Sequence, residues 1–199
     1  MKLFQSATSP FVRKVLACAV ARDIRPQIEL VTADPWSSPP ALLAQNPLSK
    51  VPCLVTDDGL ALFDSPVICE YLDSVGNEAP MFPAQHAARW RALKFEAVGD
   101  GIMDAAVLAR NEGTRPRDEA REGVIARQKD AIVRSLDLLE SAPPATHLDI
   151  GSITVACALG YLDLRHAALQ WRDTRPRLAR WEAEMAALPE LAGTAPPAG

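Results

Sequence analysis

The spacing of apolar residues changes along the chain, and this change predicts two regions of different architecture. In the first 76 residues, short apolar runs alternate with stretches in which apolar residues recur at helical spacing. The short runs predict four strands, over residues 2–5, 28–31, 52–56 and 60–63. Asp57-Asp58-Gly59 separates the last two strands and is typical of a hairpin turn. After residue 86, apolar residues recur only at helical spacing, which predicts helices alone.

Helices interleave with the predicted strands. One begins after Ser9, a short one lies near Leu42, and a third begins at Ser65-Pro66. The order β-α-β-α-β-β-α predicts a thioredoxin-like α/β domain over residues 1–76.

A linker over 77–86 and an all-helical domain over 87–199 complete the predicted organisation. The linker contains Pro80 and Pro83. Within the helical domain, Asp149 and Thr174 are the predicted caps of the last two long helices.

Composition narrows the function classes. The 199-residue chain has a net charge of −4, which gives no indication of nucleic-acid or membrane-surface binding. It has no apolar run of the roughly 20 residues that a membrane span needs. No signal-peptide pattern is evident at the start, and the four cysteines form no C-x-x-C pair, so we expect a cytoplasmic protein with buried, reduced cysteines. The three histidines lack ligand spacing, and we expect no metal site.

Three short stretches are candidates for ligand binding. They are Thr8–Phe11, Lys50–Pro52 and Asp64–Pro66. The Val51-Pro52 bond is a candidate cis peptide, which would leave the Val51 backbone free to pair with an extended ligand. The alternative is a trans proline that starts an edge strand.

The third stretch begins a helix. Ser65 is a good N-cap and Pro66 suits the first helical position. The free N–H groups of this helix end also suit an anionic ligand group. Lys50 is either a second anion contact or simply a solvated lysine.

With these stretches in this order, the chain resembles the glutathione S-transferase superfamily over nearly its whole length. It is most similar to a bacterial, cytosolic branch of that superfamily. The motifs that support this resemblance are Ser9–Val15, Phe63–Pro66, Asp100–Ala105 and Gly160–Asp163.

The resemblance implies that glutathione is the co-substrate and that the protein is a homodimer. The implied glutathione-binding residues are Ser9, Phe11, Lys50, Val51, Pro52, Asp64 and Ser65. The backbone of Val51 would pair with the cysteinyl unit of glutathione. Asp64 and Ser65 would hold the γ-glutamyl end. The superfamily often has Glu at the position of Asp64, so this chain has a shorter acid there.

Ser9 is the candidate catalytic residue, because a hydroxyl hydrogen bond at a helix N-terminus favours a thiolate. The alternative is that Ser9 only caps the helix, and Thr8 and Ser6 are rival hydroxyls. Both tyrosines, Tyr71 and Tyr161, come too late in the chain for the tyrosine type of transferase. Serine rather than cysteine precedes Pro10, which argues against mixed-disulfide chemistry.

The second substrate is expected between the two domains. Candidate lining residues on the first long helix are Trp90, Met103, Val107 and Arg110, although such a stripe is also typical of plain core. The leading hypothesis is therefore a glutathione transferase that acts on a small apolar electrophile. The alternatives are a non-catalytic protein of the same fold that works through partner contacts, and a glutathione-dependent isomerase or dehalogenase. Asp100 and Asp104 either anchor the inter-domain contact or face the cleft.

Overall fold

Four short strands form a mixed sheet in the first part of the chain. The computed structural model describes residues 1–196. The strands are β1 (Lys2–Gln5), β2 (Glu29–Thr32), β3 (Cys53–Val55) and β4 (Ala61–Leu62). Their order in the sheet is β2-β1-β3-β4, and β1 is parallel to β2 but antiparallel to β3. Each strand lies within two residues of its predicted bounds.

Eight α-helices lie between and after these strands in the described residues. They are α1 (Pro10–Ala21), α2 (Pro40–Leu43), α3 (Ser65–Val75), α4 (His86–Gly113), α5 (Glu119–Ser141), α6 (Ile150–Arg165), α7 (Pro176–Ala186) and α8 (Pro189–Ala192). The predicted combination of a small α/β region followed by a helical region is therefore confirmed. We keep the division 1–76, 77–86 and 87–199 as a proposal, and residues 197–199 lie outside the described part.

Side chains of β1 alternate between the two faces of the sheet, as the period of a strand requires. Leu3 is fully buried in the main core, which includes residues of α1, α3, α4 and α6. Phe4 points to the other face, where it joins a smaller cluster with Leu42 and Cys53. The main core is continuous from the sheet into the helical region, so the two regions pack as one body.

Two glycines allow α4 and α6 to approach closely. A Cβ on Gly151 would lie 2.5 Å from the Ala92 carbonyl oxygen, and one on Gly99 would lie 2.8 Å from the Thr154 backbone. Any larger residue at either position would push the helices apart. The helical region is thus built around this crossing.

The predicted caps have different outcomes. Asp149 caps α6, since its carboxylate accepts the Ser152 N–H and the Ser152 hydroxyl accepts the Asp149 N–H in return. Thr174 was predicted to cap the next helix, and this is wrong. A 3₁₀ helix over Trp171–Thr174 takes up Thr174, and Arg175 occupies the cap position of α7 without a side-chain capping bond.

A buried ion cluster joins α1 to α4. The Lys14 ammonium lies 2.9 Å from a carboxylate oxygen of Glu96 and 2.9 Å from one of Asp100. Burial lowers the pKa of Lys14, but Cys69 and the Asp100 and Glu96 carboxylates outweigh this effect and raise it. Lys14 is therefore charged at neutral pH and shared by two carboxylates.

The neighbouring Arg13 makes a second contact with the helical region. Its guanidinium lies against Gly160, where an added Cβ would clash, and it donates to the Leu191 carbonyl at 3.2 Å. Arg13 and Lys14 both belong to the Ser9–Val15 motif, and their partners Gly160 and Asp100 belong to two of the others. Much of the motif pattern therefore serves to dock α1 on the helical region.

Candidate glutathione site

The three candidate stretches meet at one edge of the sheet. In the β1–β3 pair, Phe4 lies opposite Cys53, so the chain beyond β1 runs beside Pro52 and Val51. In the β3–β4 pair, Leu54 lies opposite Leu62, and the same register continued by two residues brings Asp64 beside Pro52. The sheet register therefore places all three stretches side by side.

Ser9 stands at the start of α1 and caps it. Its hydroxyl oxygen accepts the Val12 N–H at 3.3 Å, and its own N–H donates to the Ser6 carbonyl. Because the oxygen acts as acceptor for the helix, the hydroxyl proton can be donated to another group. The capping role is thus observed and is compatible with a role toward a thiol. Phe11, the second residue of α1, is half-buried and packs against the main core.

The Val51–Pro52 peptide bond is cis. Within residues 1–196, the Val51 N–H and C=O have no hydrogen-bond partner. The preceding loop is held by Asn46, whose buried side chain donates to the Lys50 carbonyl at 2.9 Å and accepts the Leu48 N–H. Sequence reasoning missed Asn46, which supports the segment that presents Val51. The Lys50 side chain is exposed.

The third stretch begins α3 one residue earlier than predicted. Asp64, not Ser65, is the cap residue, and its side chain makes no capping hydrogen bond. Ser65 is the first helical residue, only 1% exposed, and Pro66 follows it. In the described part of the chain, nothing pairs with the Ser65 hydroxyl or with the N–H groups of Ser65 and Val67. This helix end therefore offers donors and a partial positive charge to an anion.

A fourth residue reaches this edge from α4. Burial raises the pKa of Asp104, the Lys50 ammonium lowers it and the Asp64 carboxylate raises it again. Asp104 is thus within electrostatic range of two of the predicted site residues. Asp100, by contrast, belongs to the buried Lys14 cluster, so the structure separates two aspartates whose roles the sequence left open.

The four candidate residues for the electrophile do not form one pocket. Trp90 and Arg110 are about 30 Å apart along α4, at 1.5 Å per residue. Met103 is fully buried in the main core, whereas Trp90 is 66% exposed. Val107 is half-buried against the core, and Arg110 lines a separate cleft between α4 and α5. Of the four, only Val107 lies one helical turn from Asp104 and has an accessible side chain.

Residues 1–196 contain neither a membrane-spanning helix nor a metal-binding cluster of side chains. None of the described helices is long and apolar enough to cross a membrane. In the same residues, no group of three or more His, Cys, Asp or Glu side chains is placed to hold a metal ion.

The fold and the unpaired groups at the sheet edge are those expected of the superfamily that the sequence resembles. Comparison with known families leads to the same class of protein. Residues 8–75 match the family described as "Glutathione S-transferase, N-terminal domain". Residues 122–184 match the family described as "Glutathione S-transferase, C-terminal domain". The chain belongs to the glutathione S-transferase family, and the predicted resemblance and architecture are confirmed.

Individual relatives match almost end to end. The uncharacterized GST-like protein YibF of Escherichia coli K12 is 36% identical over 202 residues, which is 99% of each protein. A glutathione transferase family member from Pseudomonas fluorescens Pf-5, solved with bound glutathione, is 42% identical with a TM-score of 0.93 over 98% of each chain. A structure from the same organism with bound S-(propanoic acid)-glutathione is 40% identical with a TM-score of 0.88, and covers 99% of this chain and 100% of that one.

Proposed function

We propose that this protein binds glutathione at the sheet edge described above and joins it, through its thiol sulfur, to a small apolar electrophile. The observation that supports this most is the set of unpaired groups at that edge. The Val51 backbone and the first turn of α3 both lack partners among residues 1–196, and they lie beside each other in the sheet register. The relatives from Pseudomonas fluorescens hold glutathione or an S-substituted glutathione.

Each group suits one part of glutathione. The Val51 N–H and C=O pair with the cysteinyl backbone, as an added strand residue would. The γ-glutamyl carboxylate accepts from Ser65 and the first N–H groups of α3. Asp64 accepts from the γ-glutamyl ammonium, and Asp104 adds a second negative charge nearby. Lys50 faces the glycine carboxylate, and Phe11 and Pro52 provide apolar contact.

Ser9 activates the thiol in this proposal. A thiol with a pKa of ~8.5 is mostly protonated at neutral pH. A hydroxyl donor at the start of α1 stabilises the thiolate, and each unit of pKa lowering requires about 1.4 kcal/mol of preferential stabilisation. The thiolate then attacks an electrophile held beside α4 near Val107. A cytoplasmic homodimer is part of the proposal, and the four buried, free cysteines suit a reducing compartment.

The test is calorimetric titration with glutathione, followed by the thiol pKa of the complex from thiolate ultraviolet absorbance. We expect Ser9→Ala to raise the bound thiol's pKa by about one unit while glutathione affinity changes little. Ser9→Gly separates chemistry from capping, because Gly costs a helix cap only a few tenths of a kcal/mol and also lacks the hydroxyl. Thr8→Val is the matched control and is expected to leave the thiol unchanged.

The outcomes separate the two parts of the proposal. Absence of glutathione binding would overturn both and favour a non-catalytic protein that works through partner contacts. Binding with an unchanged thiol pKa in Ser9→Ala and Ser9→Gly would remove Ser9 from the mechanism and leave the binding site in place.

A further inference from the structure

A cleft opens between the C-terminal half of α4 and the N-terminal half of α5. Its volume is about 530 Å³, and a neighbouring cavity of about 250 Å³ shares Lys129 and His166 with it. All lining residues lie between positions 109 and 169, and none comes from the sheet or from α1. This α4–α5 cleft is therefore separate from the candidate glutathione site.

Positive charge dominates its walls. Six lining side chains are cationic and two are acidic, in a protein whose net charge is −4. The cationic residues are Arg110, Arg115, Arg117, Arg121, Lys129 and Arg165. A concave surface lined by one sign of charge focuses the field and attracts the opposite ion.

Part of this charge is neutralised within the cleft. Glu112 accepts the Arg121 guanidinium at 2.9 Å and lies 3.3 Å from Arg115. Arg121 also lies 3.1 Å from Asp118. Arg115 and Arg121 are thus occupied, and their partners hold them in place at one end of the cleft.

Four cations remain without a carboxylate in salt-bridge range among the described residues: Arg110, Arg117, Lys129 and Arg165. Glu122 is the one other acid on the walls, and it too has no ion pair within residues 1–196. Four unpaired cations therefore face one unpaired acid. An exposed lysine or arginine is ordinary by itself, but three around the open cleft and Arg165 on the neighbouring cavity leave a surplus that an anion would neutralise.

The effect of these charges is visible at His166, which lies where the two cavities meet. Burial lowers its pKa, the hydrogen bond to Ala106 raises it, and the Lys129 and Arg110 charges lower it again. The imidazole is neutral at pH 7, and its Nε2–H donates to the Ala106 carbonyl at 2.9 Å. Arg110 of α4 and Lys129 of α5 therefore both act on His166, which lines the cleft with them.

We propose that the α4–α5 cleft binds a small organic molecule with two or more carboxylate or phosphate groups. Arg110, Arg117 and Arg165 supply planar donors that match such groups in pairs, and Lys129 supplies a further charge. Ala109, Ile125 and Ala126 provide apolar wall for the carbon skeleton. The volume is that of a small-molecule site rather than of a macromolecular groove.

The experiment is calorimetric titration of the full chain with citrate at low ionic strength, with inorganic sulfate as a compact anion for comparison. We expect citrate to bind one site per chain and sulfate to bind at least about tenfold more weakly, because several separated cations need several anionic groups. Arg117→Gln and Lys129→Gln are each expected to weaken citrate about tenfold, since each removes one charge-assisted contact. Both residues are exposed, and unchanged melting temperatures would show that the variants fold.

Matched controls are Arg91→Gln and Lys94→Gln, which remove one positive charge each from exposed positions of α4 outside the cleft. They are expected to change citrate affinity less than about twofold. Equal weakening by control and cleft variants would show a general charge effect and overturn the proposal, as would the absence of citrate binding. Saturating glutathione should leave citrate affinity unchanged, and competition between them would also refute a separate site.

Discussion

Replacement of Lys14 by methionine removes the cation from the centre of the buried cluster between α1 and α4. The Lys14 side chain is fully buried, and those of Glu96 and Asp100 are only 8% and 19% exposed. Methionine has a similar volume and fits a buried, irregular space, so the substitution mainly removes charge and hydrogen bonds. Two carboxylates would then remain close together without a counter-ion.

The size of the effect follows from the distances. At 2.9 Å and an effective dielectric of about 20, each carboxylate attracts the ammonium by about 6 kcal/mol. Most of that gain offsets the cost of taking the charges out of water, and removal of one partner from a buried pair typically costs 3–5 kcal/mol. We therefore expect Lys14→Met to lower the free energy of unfolding by about 4 kcal/mol, a large part of the usual 5–15 kcal/mol.

The assay is urea unfolding at pH 7 followed by circular dichroism. Lys2→Met is the matched control, because Lys2 pairs with Glu29 at 3.7 Å with both side chains more than half exposed. Such a surface pair contributes at most about 1 kcal/mol. A double variant, Lys14→Met with Glu96→Gln, should recover part of the loss, since it removes one of the two uncompensated charges.

The effect should also depend on pH in a defined direction. Burial raises the pKa of Asp100, and loss of the Lys14 ammonium raises it further. A carboxyl with a raised pKa is protonated more readily in the folded state, so its folded form loses stability as pH rises. The loss of unfolding free energy that Lys14→Met causes, relative to the wild type, should thus be smaller at pH 5 than at pH 7. If Lys14→Met costs no more than Lys2→Met, or if its deficit grows on acidification, the reasoning about this cluster is wrong.

Two further predictions concern Asp100 and the helix crossing. Burial raises the pKa of Asp100 from 3.8 to about 6 against the opposing effect of Lys14. The wild type should therefore lose about 2 kcal/mol relative to Asp100→Asn between pH 4 and pH 7, measured by urea unfolding, and parallel pH profiles would contradict this. Gly151→Ala should lower stability by about 1–3 kcal/mol in thermal melts, because its Cβ would lie 2.5 Å from the Ala92 carbonyl oxygen. Gly101→Ala is its control on α4, with nothing within 4 Å of the added Cβ, and should be neutral or gain up to about 1 kcal/mol. Equal effects of the two alanines would show that the crossing is not tight.

Local patterns predicted the elements well because local chemistry determines them. The strands lie within two residues of their expected positions, and Asp149 caps α6 with a reciprocal bond to Ser152. Thr174 failed as a cap because the residues before α7 form a 3₁₀ helix, which begins at the buried Trp171 and ends at Thr174. Ser65 is the first helical residue of α3 rather than its cap, because propensity does not resolve a shift of one residue.

The three stretches of the proposed site could be predicted from the sequence, but their adjacency and the residue that supports them could not. Thr8–Phe11, Lys50–Pro52 and Asp64–Pro66 each have a local signature of a turn, a proline or a helix start, and these signatures are visible in one sequence. Their adjacency depends on the order β2-β1-β3-β4 and its register. Asn46 has no signature at all, since its importance lies in hydrogen bonds within one loop.

The sequence by itself determined the fold class, the family and the residues at which the three stretches begin, because periodicity, turn residues and motif order are local properties. Tertiary structure alone decided which polar residues are structural and which lie at the proposed site. Asp100 and Asp104 are four residues apart on one helix, yet one is held by buried Lys14 and the other lies near Lys50 and Asp64. The same is true of the α4–α5 cleft, whose cations come from α4, α5, α6 and the loop between α4 and α5. Such distinctions depend on which distant segments pack together, and no local pattern contains that information.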